Sequence, residues 1–239
     1  MRLLLFDLDG TLLYANGAGR QAVNEALLKV LGRPFDSADV EFSGKTDPQC
    51  LRDSMLAAGL SEDEADPLVD EAVRHYVEAL PDAMPAEVVD ALPGAHAVVG
   101  ALIKRAEAQG DVALGLLTGN TEATAYLKLS RIGLDHAFDL GAFGSDAEDR
   151  NALPAIAARR AAERHGRAFA PEDVVVIGDT PRDVECARHF GARAVAVATG
   201  HYDRAQLAAH APDLLLDSLE DADHVADRLA TGSWNGDAA

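Results

Sequence analysis

Five short apolar runs constrain this chain more than any other feature: residues 2 to 6, Val112 to Leu117, Val174 to Ile177, Ala194 to Ala198 and Leu214 to Leu216. Each is too short for a helix, and beside them lie amphipathic stretches with helical spacing. Leu153, Ile156, Ala157 and Ala161 precede the run at 174, and Val184 to His189 follow it. Strands apolar on both faces and joined by helices form a parallel sheet covered on both sides, a Rossmann-like α/β core. In such sheets the functional site lies beyond the carboxyl ends of the strands. Here those ends read Asp7-Leu8-Asp9-Gly10-Thr11, Thr118-Gly119-Asn120 and Gly178-Asp179.

The alternation breaks between about 14 and 90. Val23, Leu27, Val30 and Leu31 keep helical spacing, and further helical patterns run through Leu51, Met55 and 62 to 80. The segment reads as an all-helical insertion, closed by Pro81, Pro85 and Pro93-Gly94 on the return to the sheet. The expected division is therefore a core from 1–13 and 91–230, an insertion at 14–90, and a flexible tail at 231–239, where small and polar residues dominate.

A formal net charge of −19 and a pI near 4.6 repel phosphate backbones and anionic headgroups, so neither nucleic acid nor membrane is an expected partner. Small anionic ligands would need a bound cation and local basic groups to reverse that field. Cys50 and Cys186 lie far apart with no Cys-x-x-Cys spacing, which argues against a disulfide framework or a thiolate zinc site. The eight histidines show no ligand spacing. The apolar run near the amino terminus is too short for a signal sequence or a span, and a cytoplasmic location is expected. No feature of the sequence sets an oligomeric state.

Two carboxylates two residues apart at the end of a buried strand, Asp7 and Asp9, crowd like charge. Such a cluster implies a shared proton or a bound cation. Asp179 and Asp183 add carboxylates at the end of a later strand, and hard oxygen donors of this kind suit magnesium. Each group has a plainer reading. Asp7 and Asp9 could lie in a solvated acidic loop, and Asp179 and Asp183 could cap a helix. Thr118 could cap the helix from 121, in competition with Asn120 and Thr121.

Asp7-Leu8-Asp9-Gly10-Thr11, Thr118 at the end of a middle strand, and Gly178-Asp179-Thr180-Pro181-Arg182-Asp183, in that order, resemble the motifs of the haloacid dehalogenase superfamily. The helical insertion after the first motif resembles the phosphoglycolate-phosphatase-like branch, in which it forms a cap. The resemblance implies a magnesium-dependent phosphatase acting on small phosphate monoesters. Asp7 would be the nucleophile that forms an aspartyl-phosphate, and Asp9 the general acid and base. Asp7, the Asp9 backbone carbonyl, Asp179 and Asp183 would surround the Mg2+. Gly10 would let the loop approach the phosphoryl group, and Thr118, with the Gly119 and Asn120 amides, would hold its oxygens.

The family places a lysine before its last motif, and this chain departs from that pattern. Arg150, just ahead of the helix at 153, is the positional match; Lys128, on the preceding helix, is the second candidate. Ser43-Gly44-Lys45-Thr46-Asp47 resembles the cap loop that closes over substrate, with Lys45 facing a substrate anion or, more simply, sitting in a solvated turn. Three other activities are open to the fold: a sugar-phosphate mutase, a carbon–phosphorus hydrolase using Lys45, and a phosphoacceptor module without turnover. Asp9 argues against the dehalogenases, which need no acid at that position, and against mere phosphate storage.

Overall fold

The computed structural model describes residues 1–234. Its strands, in chain order, are β1 (Arg2–Phe6), β2 (Leu13–Tyr14), β3 (Asp90–Ala91), β4 (Val112–Leu117), β5 (Gly141–Ala142), β6 (Val174–Gly178), β7 (Arg193–Val197) and β8 (Leu214–Leu216). The helices are α1 (Ala18–Leu31), α2 (Asp47–Ala57), α3 (Glu62–Ala65), α4 (Val69–Ala83), α5 (Ala95–Gln109), α6 (Glu122–Arg131), α7 (Leu153–His165), α8 (Pro181–Phe190), α9 (Arg204–Ala209) and α10 (Ala222–Thr231). Among the described residues six strands make one parallel sheet in the order β5-β4-β1-β6-β7-β8.

Period-two alternation divides the strand residues between two helical layers. Leu4, Phe6, Leu114, Leu116, Val175 and Ile177 pack on the side of α5, α6 and α10. Leu3, Leu5, Val174 and Val176 face the layer that holds α7 and α8. Leu3, Leu4, Leu5 and Phe6 are all fully buried, each contributing about 1.5–3 kcal/mol by removal from water. That double burial is why β1 is a continuous apolar run.

The register sets Phe6 beside Leu116 on one flank and Ile177 on the other, so the ends of β1, β4 and β6 lie level. After β1 the chain builds outwards through β4 to β5, then returns to the opposite flank with β6. The site therefore opens at the switch point of the sheet.

The insertion is helical as expected and has its own apolar cluster, including Leu27, Leu51, Met55, Tyr76 and Leu80 from α1, α2 and α4. The sequence did not foretell the short antiparallel ribbon where β2 pairs with β3 at its base. Two features differ from the sequence reading. Pro81 does not close the helical segment, because it falls in the last turn of α4, which runs on to Ala83. Thr231, the expected start of the tail, is the last residue of α10, which is held by buried Leu229 and Ala230 and closed by Gly232 in the left-handed region. The rest of the expected tail, 235–239, lies outside the described residues. No helix among the described residues is long and apolar enough to cross a membrane.

Candidate active site

Asp7 is the first residue beyond β1, and its backbone N–H donates to the Ile177 carbonyl at 2.9 Å, fixing the loop to β6. Gly10 turns that loop at φ +81°, and a Cβ there would sit 2.3 Å from Asp179 Oδ2. The Asp179 carboxylate thus fills the room that a side chain at position 10 would take. Gly200 lies against the same carboxylate, and a Cβ there would sit 1.7 Å from Oδ2. Thr11 Oγ1 donates to Asp179 Oδ1 at 3.3 Å. Thr11 stood in the first sequence motif without a role of its own, whereas Gly200 was not singled out and only close approach in space identifies it.

Asp7, Asp179 and Asp183 each offer an oxygen within 4.8 Å of the others, and they are 5%, 3% and 1% exposed. Burial pushes Asp7 up to about 7, with Arg150 opposing and Asp183 and Asp9 adding to the rise. Burial likewise raises Asp179, reinforced by Asp183 and Asp7. Arg150, only 6% exposed, is no surface arginine: its Nη2 lies 3.3 Å from Asp7 Oδ2 and also bonds Asp183 Oδ1. Burial works against its charge, and the Asp183 and Asp7 carboxylates more than restore it. One guanidinium faces three buried carboxylates, so a hard divalent cation fits the donor set and the charge deficit together.

Asp183 also serves the helix. Thr180, not Asp179, caps α8, and Asp183 Oδ2 accepts from the Thr180 N–H at 3.0 Å and its hydroxyl at 2.7 Å, leaving Oδ1 to Arg150. On the other flank, Thr118 is fully buried and its N–H donates to the Ala142 carbonyl. Thr121 takes the capping of α6, accepting from the Thr124 N–H, so Thr118 Oγ1 is left to Asn120 Nδ2 at 2.8 Å. Asn120 Nδ2 and Lys128 Nζ both reach Asp9 Oδ2, at 2.8 and 2.6 Å.

The loop at 43–47 is docked on these motifs. Arg150 Nη1 donates to the Gly44 carbonyl at 3.3 Å, Thr46 Oγ1 to the Glu148 carbonyl at 3.1 Å, and the Asp47 N–H to the Gly119 carbonyl at 2.7 Å. Gly119 is required for that approach, since a Cβ on it would lie 2.0 Å from the Lys45 carbonyl oxygen. Asp47 itself, which ends the cap-loop motif but was given no role from the sequence, accepts from the Thr121 N–H at 2.8 Å and Thr124 Oγ1 at 3.0 Å. Burial raises its pKa against the pull of Lys128. Lys45 pairs with Asp53 at 2.7 Å. A cavity of about 840 Å³ joins the two halves, lined by Asp7, Asp9, Arg20, Lys45, Tyr76 and Lys128 among others.

Such a constellation can attack, protonate and hold an anion, and the chain as a whole is similar to known proteins. The sequence profile of the HAD-hydrolase-like family matches residues 152–222. A phosphoglycolate phosphatase of Synechococcus elongatus is 30% identical over 226 residues, 92% of this chain and 95% of the relative. One from Cereibacter sphaeroides is 31% identical over 194 residues, 80% of this chain and 82% of the relative. Among solved structures, β-phosphoglucomutase from Clostridium difficile shares the fold with a TM-score of 0.67 at 20% identity, covering 97% of this chain and 98% of the other.

Proposed function

Because the chain belongs to the haloacid dehalogenase-like hydrolases, in their phosphoglycolate-phosphatase-like branch, and is a phosphatase, we propose that it hydrolyses small phosphate monoesters through an aspartyl-phosphate on Asp7. The supporting observation is the buried Asp7–Asp179–Asp183 cluster faced by Arg150, with Asp9 lining the same cavity.

An Asp7 carboxylate oxygen attacks phosphorus while the bond to the leaving oxygen breaks, and Asp9 gives its proton to that oxygen. Water then gives a proton to Asp9 and attacks phosphorus, breaking the bond to Asp7 and releasing phosphate. Arg150, Thr118, Gly119 and Asn120 hold the phosphoryl oxygens, and Lys45 meets the leaving group. Asp7, Asp179, Asp183 and the Asp9 carbonyl would hold Mg2+, which when bound neutralises the carboxylates so that an anionic ester can approach. The helical segment 14–90 acts as a cap that excludes bulk water from the core formed by 1–13 and 91–230.

The test is phosphate release from a panel of monoesters, phosphoglycolate and sugar phosphates included, with Mg2+ and then with chelator. Release over many turnovers that stops with chelator is expected. Conversion of a sugar phosphate to its isomer without net phosphate release would assign a mutase instead, and no turnover at all would leave a phosphoacceptor.

Cap docking supplies a second expectation. Gly119→Ala would drive a methyl group into the Lys45 carbonyl and lift the loop at 43–47 from the core. A displacement near 1 Å at a catalytic site costs about 10²-fold, so kcat/KM should fall by roughly that factor. Hydrogen exchange at residues 43–47 should rise while the sheet stays protected. Unchanged kinetics would mean that this docking has no part in turnover.

A further inference from the structure

Sequence reading leaves two candidates, Arg150 and Lys128, for the one cation that the family motif supplies. The structure separates them, with Arg150 on Asp7 and Asp183 and Lys128 on Asp9. Lys128 is 4% exposed on α6, and its Nζ lies 2.6 Å from both Asp9 Oδ2 and Asn120 Oδ1. Asn120 closes the network, donating from Nδ2 to the same Asp9 oxygen at 2.8 Å and to Thr118 Oγ1 at 2.8 Å. Both contacts converge on Oδ2, and Oδ1 has no hydrogen-bond partner among the described residues.

From this asymmetry we infer that Lys128 is a positioning residue: with Asn120 it anchors one oxygen of Asp9 and leaves the other, Oδ1, turned to the leaving group of the substrate. The inference rests on the proposed acid–base role of Asp9. Arg150 and Lys128 then divide the work, one serving the nucleophile and the other the proton carrier. A carboxylate on a short side chain rotates freely about its last bond when half-exposed, and the Asp9 side chain is 42% exposed. Two donors on one oxygen stop that rotation at little further entropic cost, because Lys128 is already fixed by burial.

Leaving-group dependence tests this without relying on overall activity. p-Nitrophenyl phosphate departs with little help from an acid, whereas an alkyl phosphate needs the proton. For Lys128→Met, kcat/KM should fall about 10²-fold with the alkyl ester and only a few-fold with p-nitrophenyl phosphate. Lys128→Gln, which keeps one donor, should lose less and guards against a folding failure of the methionine variant. In an Asp9→Asn background the Lys128→Met change should cost nothing more, because both act on one step. Equal losses for both esters, or an undiminished further loss in the Asp9→Asn background, would overturn the inference and make Lys128 a direct phosphate ligand. A wild-type enzyme that releases no phosphate from either ester would instead overturn the hydrolytic reading beneath it.

Discussion

Asp7→Asn should lower multiple-turnover phosphate release by about 10⁴-fold or more, the scale of loss when a covalent nucleophile is removed. The amide is isosteric but cannot carry the phosphoryl group. The same change should make the fold more robust at neutral pH without metal. Burial pushes Asp7 up to about 7 in the folded chain, against 3.8 for an aspartate carboxyl free in water. Between those values the folded state keeps a proton that the unfolded chain releases, so the contribution of Asp7 to stability falls as pH rises from about 4 to about 7. Thermal unfolding in chelator should show Tm of the wild type declining across that window, with a shallower decline in Asp7→Asn. Addition of Mg2+ should raise the wild-type Tm most at the upper end, where the cluster carries most charge. Parallel pH profiles for the two proteins would contradict the raised pKa, and an Asp7→Asn enzyme with more than a few per cent of wild-type turnover would contradict the nucleophile.

The second large effect belongs to Arg150. Removing one partner of a buried ion pair leaves uncompensated charge and costs about 3–5 kcal/mol. Arg150 faces Asp7 and Asp183 directly, and Asp179 feels its field, so Arg150→Met should fall at the upper end of that range in chelator at pH 8. Mg2+ should return part of the loss, because a divalent ion supplies positive charge to the same oxygens. Arg150→Lys should recover stability better than activity, since it keeps the charge but not the planar fork that binds phosphate in two places. Denaturant unfolding with and without Mg2+ measures both. A loss below about 1 kcal/mol, the scale of an exposed pair, would mean that solvent screens the cluster.

Much of the fold was legible because burial on both faces writes a strand as an unbroken apolar run. β1, β4, β6, β7 and β8 all followed that rule. β5 escaped because its two residues, Gly141 and Ala142, carry no pattern, yet it receives the Thr118 N–H through the Ala142 carbonyl. The β2–β3 ribbon escaped for the same reason, since pairing of Leu13–Tyr14 with Asp90–Ala91 joins residues far apart in the chain. At the site, motif order brought Asp7, Asp179 and Asp183 to attention, and the structure gathers them. Gly200 carries no local signal, and Thr11 and Asp47 stood in sequence motifs that assigned them no role. They matter because the cap loop and the strand ends meet in space, and a lone aspartate ahead of Pro48 reads only as a helix start. At Gly10 the structure adds a reason for glycine that the sequence did not show, the room it leaves for Asp179.

The most direct measurement is chemical capture of residue 7. In Asp9→Asn, loss of the base should slow the second displacement, so that p-nitrophenyl phosphate and Mg2+ fill the acyl-phosphate state before it is quenched with borohydride. Reduction of the aspartyl-phosphate breaks its bond to the phosphate and converts the side chain to that of homoserine, which peptide mass spectrometry reads at a single position. The predicted result is homoserine at residue 7, dependent on substrate and absent from Asp7→Asn. A burst of p-nitrophenol with residue 7 left as aspartate would contradict transfer through Asp7.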